Sequence, residues 1–169
     1  MLRVFQLVPM LGLACLLAGG YGILHNQISY TVGPDYFHSF KFAQFRIPEY
    51  FPPRIGAGLV GWWASWWMGV VIGLPIALLS FAIPDRHEGW RGFVQVAVLV
   101  VGLTFGLGML SLLVDPPMAH IPVPAEASDP IGFGRAALLH NTSYLAGGIG
   151  LLVGLVIMGR KVRHARHDL

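Results

Sequence analysis

Residues 92–114 read GFVQVAVLVVGLTFGLGMLSLLV, 23 positions without a Lys, Arg, Asp or Glu. At ~1.5 Å of rise per residue, a helix of this length covers the ~30 Å hydrocarbon layer of a bilayer. Backbone N–H and C=O groups in hydrocarbon must find partners within their own segment, so such a run is helical. Three more runs share the pattern: 5–24 has 20 uncharged residues, 55–83 has 29, and 136–158 has 23 with His140 inside. The chain has 169 residues, 55% hydrophobic and 11% charged, with a mean hydropathy of +0.65. Soluble domains carry ~25% charged residues, so a soluble globular domain and a disordered chain are both excluded. Cys15 is the single cysteine, which excludes a disulfide scaffold. The sequence predicts an all-α membrane protein. It is a single membrane domain, 1–169, built as a four-transmembrane-helix bundle with outer loops 25–54 and 115–135 and a basic tail 159–169.

The 29-residue run is longer than a bilayer needs, so it must tilt, protrude or bend. Pro75 supplies a cause for bending, because it removes the hydrogen bond to the Val71 carbonyl. Gly69 and Gly73, Gly102 and Gly106, and Ala146, Gly150 and Gly154 place small residues one turn apart. Such ridges let membrane helices approach closely. The expected site of tight packing is the last helix, where the small residues repeat on one stripe.

Basic residues decide sidedness. With both termini cytoplasmic, the inner side holds Arg3, Arg86, Arg91, Arg160, Lys161, Arg163 and Arg166. The outer side holds Lys41, Arg46, Arg54 and Arg135. Residues 115–134 of the last outer loop carry three acids and no Lys or Arg. The first helix is read as retained, since its apolar run exceeds a usual signal-peptide core. The basic tail suits a topology determinant touching anionic head groups and is too short for a nucleic-acid module. His164 and His167 within it are read as solvent-exposed.

The first outer loop alternates polar with β-branched or aromatic residues over 27–32, which suits an extended stretch. Gly33-Pro34 signals a turn, and Pro34-Asp35 can open a helix. A short amphipathic helix over 35–45 is expected to lie on the outer interface, embedded by Phe37, Phe40 and Phe45. Trp62, Trp63, Trp66 and Trp67 fall in the adjoining half of the second helix and are read as interfacial anchors.

Polar groups inside a bilayer are costly and mark functional interiors. His140 and Tyr144 share one face of the last helix, with Asn141 between them. His25, Asn26, Gln27, Asp35 and His38 belong to the first outer loop. These residues form the expected polar outer-face cluster. His140, Tyr144 and Asp35 are the catalytic candidates, and His25, Asp35 and His140 are the candidate ligands of a metal ion. No tight ligand signature accompanies them, and a hydrogen-bonded network pinning the loop to the bundle is the simpler reading.

The run YTVGPDYF at 30–37, with HNQ at 25–27 and HNTSYLAGG at 140–148, resembles uncharacterised bacterial four-helix integral membrane proteins. That pattern carries Glu where this chain has Asp35. The resemblance implies a bacterial inner membrane and the same two regions as the site, and it brings no assigned reaction. Three functions fit the sequence: an accessory or structural subunit, a membrane enzyme or metal-binding protein with an outer-face site, and a small-solute or proton transporter. The expected partners are the lipid bilayer and a membrane protein or second copy of the chain, with no nucleic acid.

Overall fold

The computed structural model describes residues 4–167, with side chains from 5 to 165. Arg3 and the side chains of Arg166 and His167 lie outside the described residues. Every regular element among the described residues is helical. Four stretches are long and apolar enough to cross a membrane: Leu7–Val32, Pro53–Ser80, Arg86–Leu113 and Pro130–Ala165.

Helix α1 (Leu7–Val32) continues well past Leu24, and the stretch 27–32 is its last part rather than an extended segment. Gly22, Asn26 and Ser29 are buried at helical spacing. The polar ends of Asn26 and Ser29 find partners on other helices, so polarity that lowers the hydropathy does not end the helix. It stops at Gly33, ahead of Pro34, whose ring disfavours a helical conformation in the residue before it.

The second apolar run forms α2 (Pro53–Ser65) and α3 (Met68–Ser80), interrupted at Trp66–Trp67. Pro75, the expected cause of a bend, lies inside α3. At the break the amides of Gly69 and Val70 donate to the carbonyls of Trp66 and Trp67, three residues back, each at 3.0 Å. This tightened turn brings Gly69 onto α1, where a Cβ would stand 2.5 Å from the backbone of Ala14 and Cys15.

Helix α4 (Arg86–Leu110) starts at Asp85, whose carboxylate accepts the Glu88 amide at 2.8 Å. Helix α5 (Pro130–His167) has 38 residues and outruns the uncharged stretch at both ends. The Asp129 carboxylate accepts the Gly132 amide at its start, at 2.9 Å. Arg135 and Arg160 break the run of uncharged residues without breaking the helix.

Between α1 and α2 the chain winds through helical turns Pro34–Tyr36, Phe37–Lys41 and Phe42–Gln44, the middle one a π-turn. The expected outward face is not formed here. Phe37 is 0% exposed, Phe40 is 40% exposed, and Phe45 is half-buried. Tyr36 and Phe37 pack with Ala57, Val60, Phe133 and Ala136 in a core at this end of the molecule. The wide turn changes the angular step between side chains, and Phe37 meets the ends of α2 and α5 rather than the surroundings.

A second core joins the opposite ends of the helices, with Met10, Ile76, Phe93 and Met158 at its centre. Helices α1 and α2 approach closely at Gly22 and Gly61, where a Cβ on either would overlap the other's carbonyl oxygen. On α5, Ala146 is buried, Gly150 lies against Val100, and Gly154 against Val96 and Ile76. Gly102 and Gly106 face away, with nothing within 4 Å of a Cβ at either position.

Candidate functional site

Where α1, α2 and α5 meet, three polar side chains are buried together. His25 is 3% exposed, Asn26 2% and His140 7%. The Asn26 amide nitrogen donates to the Ala57 carbonyl of α2 at 2.9 Å. This turns its oxygen Oδ1 toward both imidazoles, 3.2 Å from His25 Nδ1 and 3.1 Å from His140 Nε2. The two rings meet edge to face, with centroids 4.7 Å apart.

The partners assign the hydrogens. Asn26 Oδ1 accepts, so His25 carries its proton on Nδ1 and its Nε2 accepts from the Ser143 hydroxyl at 3.1 Å. The Tyr21 hydroxyl in turn donates to Ser143 at 2.9 Å. His140 Nδ1 faces two oxygens, the Ala136 carbonyl at 2.9 Å and the Ser29 hydroxyl at 3.3 Å. A carbonyl and an amide oxygen both accept. A neutral His140 can therefore donate to only one of Ala136 and Asn26, whereas an imidazolium donates to both.

Tyr36 closes the site from the loop, its ring centroid 4.9 Å from that of His140. Ser29 and Tyr21 join the site without being singled out by the sequence, and Ser143 and Tyr36 join it as neighbours of the sequence candidates His140 and Asp35. A helical reading of 21–29 would have grouped the four α1 members, because Tyr21 and His25 lie four residues apart and Asn26 and Ser29 three.

The other sequence candidates stand elsewhere. The Gln27 amide donates to the Arg54 carbonyl at 2.9 Å, tying α1 to the start of α2. His38 pairs with the Tyr30 hydroxyl at 3.0 Å. Asn141 is on the exposed side of α5, since one residue turns the helix by ~100° away from His140. Asp35 binds the final loop, accepting the Ser128 hydroxyl at 3.0 Å and the Asp129 amide at 2.6 Å. Those bonds, the Asp129 amide first, hold its carboxyl below the usual carboxylate range. Tyr144 is 47% exposed yet lines a cavity with His140.

The proposed ligand set His25, Asp35 and His140 does not assemble. Among the described residues no three His, Cys, Asp or Glu side chains are grouped to hold a metal ion. The two imidazoles point at an amide oxygen, hydroxyls and a carbonyl rather than at a common point. The tryptophans divide by face. Trp62 packs over Gly19, Trp66 is half-buried, and Trp63 and Trp67 are 56% and 45% exposed.

The cavity beneath the His pair measures about 90 Å³ and is lined at one end by Tyr21, His25, Ser143 and Tyr144. Its remaining wall is mostly apolar, including Ala18, Ile72, Val100 and Gly147. No family model, curated protein or solved structure matches the chain.

Proposed function

We propose that the chain is a four-helix-bundle integral membrane protein of the bacterial inner membrane. Both termini face the cytoplasm, and the protein serves as an accessory, binding or structural subunit rather than an enzyme. One observation carries this reading. The polar ends of His25, Asn26 and His140 are engaged in bonds that tie α1, α2 and α5 together. A catalytic pair needs a reactive group aimed at substrate, and here the imidazoles are aimed at the chain itself.

The orientation is supported by the basic residues Arg86, Arg91, Arg160, Lys161 and Arg163 at one end, against Lys41, Arg46, Arg54 and Arg135 at the other. The 34–44 turns then lie at the outer surface, with Phe40, Trp63 and Trp67 supplying exposed aromatic surface toward the lipid interface. The bilayer is the first partner, and a second membrane protein or another copy of the chain is the next.

The test is cysteine labelling in a Cys15→Ser background. An impermeant thiol reagent applied from outside should modify Ala125→Cys in the last outer loop and leave Arg163→Cys untouched until the membrane is opened. The reverse pattern would overturn the orientation.

A further inference from the structure

The cavity beneath the His pair continues toward the opposite core. A second cavity of about 50 Å³ shares Ala18, Met68, Ile72, Val100 and Val101 with it and is otherwise apolar in side-chain character. The two adjoin as a slot between α1, α3, α4 and α5, polar at one end and apolar toward the other. Both parts exceed the ~10–15 Å³ that a single water-sized group needs. That suits a compact head and the first carbons of a chain.

We propose that this slot binds a neutral single-chain amphiphile whose head carries a hydroxyl or carbonyl oxygen. This rests on the reading of the chain as a membrane-spanning binding subunit. Three features select the class. No Lys, Arg, Asp or Glu lines either cavity, and the two imidazoles that do, those of His25 and His140, are engaged with Asn26, Ser143 and Ala136, so an ionic head would find no free counter-charge in a low-dielectric interior. The Tyr144 hydroxyl has no hydrogen-bond partner among the described residues and borders the slot, where it can donate to an oxygen head. The Tyr21 oxygen, which donates to Ser143, keeps lone pairs to accept from a hydroxyl. Small residues keep the slot open. A Cβ on Gly147 would meet only Ile72 and Thr104, at 3.8 and 4.0 Å. A leucine there therefore has room to fold while its side chain fills the slot.

The experiment uses the full chain in phospholipid nanodiscs with three probes: dodecanol, decylbenzoquinone and dodecyl phosphate. The two neutral probes should raise Tm by a few degrees, because a ligand that binds only the folded state stabilises it. Dodecyl phosphate should not, and Gly147→Leu should abolish the rise. Tyr144→Phe, which keeps the ring and the fold, should weaken dodecanol binding about five-fold, the range of one lost hydrogen bond. Three results would each overturn the proposal. One is no shift with either neutral probe. Another is an equal shift with dodecyl phosphate. The third is a shift that survives in folded Gly147→Leu or, should that variant not fold, dodecanol affinity unchanged by Tyr144→Phe. Loss of probe binding in protein that labels with the stated orientation removes the slot alone. Reversed labelling removes the orientation instead.

Discussion

The imidazole of His25 stands edge-on to that of His140, and both meet the same atom, Oδ1 of Asn26. One amide oxygen thus joins α1 to α5, while the nitrogen of the same amide holds α2 through the Ala57 carbonyl. Three helices that share no sequence proximity are fixed at one level by a single side chain.

Asn26→Leu keeps the volume and removes this hub. The two ring nitrogens lose their shared acceptor, and each buried group left unsatisfied costs about 1–3 kcal/mol. Thermal unfolding in detergent should shift clearly downward. Replacing His140 by Phe in the same chain should cost less than its effect alone in the native background, since the orphaned His140 nitrogen is then gone. A strictly additive pair would contradict the shared-acceptor picture.

The glycines separate into two groups with opposite responses. Gly61→Val drives a side chain into the Gly22 carbonyl, and α1 must move off α2. Folded yield in membranes should collapse. Gly102→Ala meets open space and gains ~0.5–1 kcal/mol of helix preference, so its Tm should hold or rise. The comparison is read from expression and melting of the two variants side by side.

Phe37→Ala should destabilise the protein by about 3–5 kcal/mol, the cost of emptying a buried phenyl site. Had Phe37 faced the lipid interface, the same change would weaken membrane contact with little effect on unfolding. Phe40→Ala, at a side chain 40% exposed, is the control and should unfold near the native temperature.

Asp35 gives the loop latch a pH dependence. Its carboxyl is held below the ordinary 3.8 by the Asp129 amide and the Ser128 hydroxyl. A depressed carboxyl stabilises the folded form above its unfolded value, and this contribution fades as pH falls through the folded one. Protease cutting within 121–128 should thus be slow near pH 5 and accelerate below pH 3.8. Asp35→Asn should be cut quickly at both. Cutting of the native chain that does not change with acid would show that the latch does not hold the loop.

The four spans, their order and the absence of a soluble core were legible in the sequence, because excluding charge over ~20 residues is a requirement of the solvent and not of any tertiary contact. His140 was legible as an interior residue for the same reason. The helix ends were not. Charges at 135 and 160 and polar groups at 25–29 lower the hydropathy, yet they sit where a helix can project beyond the apolar layer or find partners on its neighbours. Other features exist only in three dimensions. Phe37 is sheltered because the turns at 34–44 fold back over α2 and α5. Asp35 binds Ser128 rather than the imidazoles because the last loop passes beside it. Gly22 matters and Gly102 does not because only one lies where two helix axes cross. Composition sets which segments enter the membrane. The facing of helices, and with it the meeting of His25, Asn26 and His140, follows from close packing of surfaces far apart in the chain.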